Sequence, residues 1–348
     1  MNKSEASEVQ RKLVARRKEY RSPLNKRRMV RFIGRVLSWF IKTRFISFFL
    51  KNQRVEEKVL VKYDRMAGEY VSVYNKLQSE NKKILAVYDH VIQFVSGKEF
   101  IDKRIQFIID NIMRPLGLKN LSLLDVGAGE LTTLTQIAKG LKELKSISAL
   151  ELSWSRIAVG RQFAQSQGLK PEQLVVGTAT HLPFADNSFD IVFTSHCLEQ
   201  ANLDKWQILC ELYRVARLYV VMLEPSWELG DKYQKRRIDA KGYLRGLDVA
   251  ISKMGYNLIR HELLPYSNNP DNRTAVYVIK KDSNTNKTTG LQVLACPCCK
   301  TATIKHSDFE FCMPCGRVYP IVSGIPCMHP ANGVLASKYE ELCFLCDQ

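Results

Sequence analysis

Four cysteines near the carboxyl end carry the most explicit chemistry in the chain. Cys296 and Cys299 lie in CPCC, Cys312 and Cys315 in CMPC, and twelve residues separate the two knuckles. Each CxxC lets two thiolates reach one metal, and two such knuckles complete a tetrahedron suited to Zn²⁺. A closed four-thiolate shell leaves no coordination position for water, so the expected metal is structural and folds the tail around itself. Cys298 and Cys327 suit small apolar roles. Cys343 and Cys346 form a third CxxC at the end of the chain, read as a frayed tail, with a second metal site or a redox pair as alternatives.

A second chemical signal sits earlier. The apolar run SLLDV enters GAGEL, where Gly127 and Gly129 remove two Cβ atoms at the place where a ligand meets backbone and helix N-terminus. Glu151 ends the next apolar run, placed to accept hydrogen bonds from both hydroxyls of a ribose. Together these suggest an adenosine-containing ligand; a tight strand-to-helix turn would use the same glycines. Thr132 stands where the dinucleotide fingerprint needs glycine, which disfavours a nicotinamide cofactor.

The elements that position these residues follow from periodicity. SLLDV (122–126), ISALEL (147–152), QLVVG (173–177), DIVFTS (190–195) and LYVVML (218–223) alternate with stretches suited to helices, which implies a parallel sheet covered on both faces. A helix ends near Met254. NLIRHELLPY (257–266) and TAVYVIKK (274–281) then follow with no room for a helix between them, so the sheet ends in an antiparallel pair. Residues 55–118 read as two or three helices, from spacings such as Val91, Phe94 and Val95 or Ile101, Ile105 and Ile108. Residues 282–290 are an apolar-free linker, 291–330 the cysteine ribbon and 331–348 a tail.

The motif order LLDVGAGE, ALELS, LPFADNSFD and a terminal strand pair resembles the class I S-adenosylmethionine-dependent methyltransferases, in particular the group that includes the ubiquinone and menaquinone methyltransferases. The resemblance spans roughly residues 120–281. It implies a Rossmann-like, doubly wound, mostly parallel seven-stranded α/β sheet with an antiparallel terminal strand over residues 119–281. It also implies S-adenosylmethionine as cofactor. Asp125, Gly127, Ala128 and Gly129 would line its methionine portion, while Glu151, followed by Leu152, would hold the ribose. Thr178, Ala179 and Thr180 would border the adenine, and Ser195 and His196 would face the methyl group. The chain departs from the family pattern at Leu131, where many members have glycine, and at Thr178, where many have an acid. His196, Glu199 and Glu224 are the candidates for a base, which transfer needs only when the accepting atom holds a proton.

The ribbon with its flanks, including Tyr319, Pro320, Ile321, Gly324, Ile325 and Pro326, resembles the small zinc-ribbon family that activates tRNA and protein methyltransferases. In that family the ribbon is a separate subunit; here the resemblance implies an attached one that covers a sheet edge or an apolar patch.

Charge is concentrated at the other end. The 348-residue chain carries a formal +17, and residues 1–54 hold 16 basic side chains against 3 acidic ones. Within this arm, Phe32 to Leu50 suits an amphipathic helix with a wide apolar face that includes Trp39 and Phe40. Lysines, arginines and aromatics in this combination favour an anionic membrane surface over RNA, with packing on protein as a further alternative. The uncharged runs in the arm are six residues long, far short of the ~20 that span a bilayer. Without an export signal and with paired thiols, the expected location is the cytoplasm, peripheral on the inner membrane face. The leading expectation is a methyltransferase acting on a lipid, a lipid-linked glycan or another small acceptor. Methylation of RNA or a translation protein, and a non-catalytic scaffold prompted by Leu131 and Thr178, are the alternatives.

Overall fold

The computed structural model describes residues 3–18, 56–79, 82–117, 119–201, 204–281, 293–339 and 341. The expected amphipathic helix over 32–50, the 282–290 linker and the cysteines at 343 and 346 lie outside the described residues. Two compact units are present, Met1–Met66 and Ala67–Gln348. In the first, Lys3–Lys18 is a helix on which Val9 and Leu13, one turn apart, are the buried apolar side chains, and residues 56–65 are helical. No described helix is long and apolar enough to cross a membrane.

In the second unit, the stretch expected to be all helix contains a hairpin. Strands β1 (Lys83–Tyr88) and β2 (Val91–Ser96) pair antiparallel, with Tyr88 opposite Val91. Asp89 and His90 between them both have positive φ, 50° and 64°. That is the handedness a two-residue turn needs to match the twist of its strands. The helical spacing of Val91, Phe94 and Val95 is therefore coincidental. The hairpin is fixed by a bridge to a distant loop, with Val87 N donating to Ser267 O at 2.8 Å and Ser267 N to Val87 O at 3.0 Å. Ile101 and Ile105 do lie on a helix, Gly97–Phe107, which continues through a wider turn at Ile108–Met113.

The central sheet contains β3 (Ser122–Val126), β4 (Ser146–Glu151), β5 (Gln173–Val176), β6 (Phe189–Ser195), β7 (Ala216–Pro225), β8 (Asn257–Leu263) and β9 (Thr274–Lys280), in the spatial order 5-4-3-6-7-9-8. Strands β3 to β7 are mutually parallel, and β9 runs antiparallel to both β7 and β8. The last strand in sequence is thus the antiparallel one, and it is inserted between β7 and β8 instead of forming the edge.

Successive side chains point to opposite faces, and both faces are buried. Leu124, Val126, Val192, Val220 and Tyr277 join one core, while Leu123, Ile191, Phe193, Val221 and Val278 join the other. This double burial is why the strands read as unbroken apolar runs.

The ribbon packs directly against the β5 end of this sheet. Its small sheet contains β10 (Ile304–Lys305), β11 (Phe309–Cys312), β12 (Arg317–Val322), β13 (Ile325–Pro326) and β14 (Val334–Leu335). Cys327 bridges Val176 of β5 in parallel, and Met328 N donates to Val176 O at 2.7 Å. Ile325 and Cys327 cluster with Ile157 and Val176. Leu294, Cys296, Cys312, Tyr319 and Met328 are part of the larger sheet core. The ribbon therefore caps an edge strand whose open backbone groups would otherwise invite pairing with another chain.

Candidate functional site

Two chemical centres lie at the carboxyl ends of the parallel strands, and the ribbon forms a third. The first begins where β3 ends. Gly127 and Gly129 have φ of 75° and 58°, and Gly127 N and Ala128 N both donate to Leu150 O on β4. A Cβ on Gly127 would lie 2.3 Å from Cys197 Sγ, and one on Gly129 would lie 2.5 Å from Arg156 Nη2. Side chains from two other loops thus rest against this backbone. Leu131, at the residue before helix Thr132–Gly140, is itself left-handed and wholly buried. The turn is tight without a third glycine.

Asp125, the next-to-last residue of β3, is buried, and its Oδ1 has no hydrogen-bond partner among the described residues. Burial, reinforced by the neighbouring Glu151 carboxylate, pushes its carboxyl up to about 8. Glu151 accepts from Gly129 N at 2.8 Å and from Ser153 N at 3.2 Å. Arg156 lies 3.8 Å from Glu151 and 3.7 Å from Glu130. Glu130 in turn accepts from Gly68 N and Val71 N, at the start of helix Glu69–Ser79, and Tyr70 lays its ring 4.6 Å from the Arg156 guanidinium carbon. That helix is held over the glycine turn by charge-assisted hydrogen bonds.

The expected adenine-side residues form a local turn. Thr178 and Thr180 hydroxyls are 2.9 Å apart, Thr180 N donates to Thr178 Oγ1, and Ala179 packs against the larger core. Leu152 follows Glu151 directly at the end of β4.

The second centre follows β6. Ser195 is the last residue of that strand, and His196 adopts φ of 55°. Its Nδ1 is 2.5 Å from Glu199 Oε1 and its Nε2 is 2.9 Å from Thr274 Oγ1. Asn272 Nδ2 donates to the same Glu199 oxygen at 3.0 Å. Burial raises the Glu199 carboxyl, but the His196 hydrogen bond and charge, Asn272 and the Arg237 charge outweigh it and hold the group below its ordinary value. Glu199 is thus an ionised acceptor that orients the imidazole.

Glu224, the third base candidate, is placed differently. It is fully buried, and its carboxyl accepts from Thr194 Oγ1 at 2.9 Å, Cys197 N at 3.0 Å and Leu198 N at 3.2 Å. Burial, with Glu199 nearby, pushes it up to about 8. Its three hydrogen bonds tie it to β6 and to the loop that presents His196.

Sequence spacing missed Arg156, Glu130, Tyr70, Asn272 and Thr274. Glu130 and Arg156 lay within reach, directly after Gly129 and five residues beyond Glu151; Tyr70, Asn272 and Thr274 need the fold, because no local period relates Thr274 to His196.

In the ribbon, Sγ atoms of Cys296, Cys299, Cys312 and Cys315 all lie within 4.8 Å of one another. Cys296 and Cys315 are 4.0 Å apart, and Cys299 and Cys312 are 3.4 Å apart. A tetrahedral Zn²⁺ with ~2.3 Å bonds requires sulfur separations of about 3.8 Å. The donor set fits that ion.

Residues 124–218 match the family model described as a methyltransferase domain. A demethylmenaquinone methyltransferase of Geobacillus kaustophilus is 29% identical over 137 residues, 39% of this chain and 56% of the relative. One from Anoxybacillus flavithermus is 31% identical over 147 residues, 42% of this chain and 60% of the relative. The chain therefore spans less than two thirds of the length of these relatives. Solved structures similar to this chain include an Aquifex aeolicus SAM-dependent methyltransferase (TM-score 0.40, 18% identity, covering 51% of this chain and 97% of that one). Another is the Synechocystis magnesium protoporphyrin IX methyltransferase with bound SAH (TM-score 0.47, 10% identity, covering 66% and 100%).

Proposed function

We propose that the protein transfers a methyl group from S-adenosylmethionine to a small lipophilic acceptor, with Asp125 and Glu151 holding the donor. The observation that carries this reading is the buried Asp125 Oδ1, which lacks a partner beside a glycine turn and one strand away from a second carboxylate. A buried acceptor of this kind is costly unless a ligand satisfies it. Glu151 suits the two ribose hydroxyls, and Gly127 to Gly129 suit the methionine portion. Ligand approach to Gly129 requires the Arg156 guanidinium to turn away from it.

Bound there, S-adenosylmethionine supplies a methyl group already activated by its sulfonium. The protein's part is then alignment and exclusion of water. Tyr70 and the helix Glu69–Ser79 close over the turn, and Ser195 and His196 border the acceptor side. Where the acceptor carries a proton, His196 Nε2 accepts it once the Thr274 hydroxyl that now occupies this nitrogen turns away, and ionised Glu199 stabilises the resulting charge from the Nδ1 side.

The names of the relatives support a lipophilic acceptor, and the basic, aromatic arm of residues 1–54 supports work at an anionic membrane surface. Zn²⁺ in the four-cysteine site would keep the ribbon folded against β5.

Calorimetric titration of the full chain with S-adenosylmethionine tests the core of this reading. Saturable heat that Glu151→Ala reduces at least tenfold is expected; no heat at millimolar donor would overturn it. Transfer of a labelled methyl group into lipid extract tests the acceptor class, and co-sedimentation with anionic vesicles before and after deletion of residues 1–54 tests the arm.

A further inference from the structure

The acid-lined glycine turn already holds a cation of its own. Arg156, on the helix Trp154–Ser166, is buried, with its guanidinium 3.8 Å from Glu151 and 3.7 Å from Glu130. Both separations exceed the ~2.7–2.9 Å of a charge-assisted hydrogen bond, whereas Arg214 meets Glu211 at 2.7 Å. The two acids balance the charge of Arg156 at a distance.

A further side of this cation is aromatic. Tyr70 presents its ring 4.6 Å from the guanidinium carbon, within the range of a cation–π contact. Backbone on either side of the ring is fixed to the turn, because Gly68 N and Val71 N donate to Glu130 at 3.1 and 2.8 Å. The residue is nonetheless 44% exposed, so a ligand can reach the ring. Burial raises the Tyr70 hydroxyl above its ordinary value, Arg156 opposes that rise, and the Glu199, Glu130 and Glu151 carboxylates add to it. Tyr70 is therefore within electrostatic reach of both centres, the acid beside the glycine turn and the acid that orients His196.

The guanidinium stands where the donor has to lie. Arg156 Nη2 is 2.5 Å from the position a Cβ on Gly129 would take, against the backbone that suits the methionine portion. S-adenosylmethionine carries its positive sulfur between ribose and methionine chain, and its methyl group must point toward His196. With the ribose at Glu151, that sulfur belongs between Gly129 and the second centre, on the side that Tyr70 covers. Exchange of one cation for another leaves Glu130 and Glu151 facing a positive charge, which avoids the cost of stranding buried acids.

We propose that the Arg156 guanidinium is a placeholder for the donor's sulfonium: on binding, Arg156 turns out of the turn and the sulfonium takes its place against the Tyr70 ring. Tyr70 is then the residue that distinguishes the charged donor from its neutral, demethylated product. This rests on the methyltransferase reading for the identity of the ligand. An internal cation that must first be displaced also lowers the apparent donor affinity.

Calorimetric titration of the full chain with S-adenosylmethionine and with S-adenosylhomocysteine, whose sulfur is neutral, tests the proposal. The quantity to follow is the ratio of the two dissociation constants, donor over product. Tyr70→Leu should raise this ratio at least threefold, while Tyr70→Phe, which keeps the ring, should leave it within about 1.5-fold of the wild type. Arg156→Met, which keeps the length and loses the charge, should lower the donor's dissociation constant at least threefold.

An unmoved ratio in Tyr70→Leu, an equal rise in Tyr70→Phe, or donor binding no tighter in Arg156→Met would each overturn the proposal. Thermal melting checks folding; Tyr70→Leu alters an exposed side chain and decides alone if Arg156→Met does not fold. The two ideas fail differently. Binding of both ligands without dependence on Tyr70 sinks only the placeholder, whereas a wild type that binds neither ligand sinks the methyltransferase reading and the placeholder with it.

Discussion

Gly160 makes room for Leu131. A Cβ at position 160 would lie 2.7 Å from Leu131 Cγ and 2.9 Å from the Glu130 carbonyl carbon. The helix Trp154–Ser166 therefore gives up a side chain at the point where the left-handed, fully buried Leu131 fills the space. The family pattern places glycine on the turn itself; in this chain the space is supplied by its neighbour.

Gly160→Ala should accordingly destabilise the second unit, even though alanine is the better helix former. Overpacking in a filled core costs about 1–3 kcal/mol, against ~1 kcal/mol gained in helix propensity. Urea denaturation followed by circular dichroism measures the balance, and an unchanged or raised midpoint would contradict the packing account.

Asp125 should make donor affinity depend on pH. Its folded value of about 8 means that the carboxyl is mostly protonated at neutral pH. A cationic ligand favours the ionised form, so binding must expel a proton below that value. The S-adenosylmethionine dissociation constant is expected to fall as pH rises from 6 toward 8, by up to ~10-fold per unit, and to level off above. Calorimetry across this range should show the slope in the wild type and its loss in Asp125→Asn.

His196→Ala should lower labelled-methyl transfer about 100-fold if the accepting atom is protonated, while donor affinity stays within about threefold. Glu199→Gln should retain part of the rate and shift its pH profile, because the imidazole loses the ionised partner at Nδ1. A transfer rate unaltered by both changes would remove the pair from the chemistry.

Cys312→Ser should abolish stoichiometric zinc, read by elemental analysis, and lower the melting temperature of the whole second unit. The coupling follows from burial: Cys296 and Cys312 sit within the core that also holds Val192 and Val220 of the central sheet. Loss of metal should also uncover β5 and increase aggregation. Full zinc content in the variant would show that the four thiols do not form one site.

Much of this architecture was legible from local pattern. The strands β3, β4, β6, β7 and β9 appear as apolar runs because both sheet faces are buried there, unlike the exposed edge strand β8, and the glycine turn, Glu151 and the CxxC knuckles are defined by residue types a few positions apart. Expected strand limits such as 122–126 coincide with Ser122–Val126. The ribbon's role as a cover followed from resemblance, and the fold supplies the covered edge, β5. The hairpin at 83–96 escaped because Asp89–His90 is a weak turn signal without glycine, and because Val91, Phe94 and Val95 fall by chance at helical intervals.

Other features belong to tertiary structure alone. His196 meets Thr274, and Glu199 meets Asn272, only because β9 inserts beside β7, and Glu224 loses its access to solvent because the loop after β6 closes over it. A side chain's type and spacing are written locally, but its burial, its partners and therefore its charge state depend on which distant segments the strand order places around it.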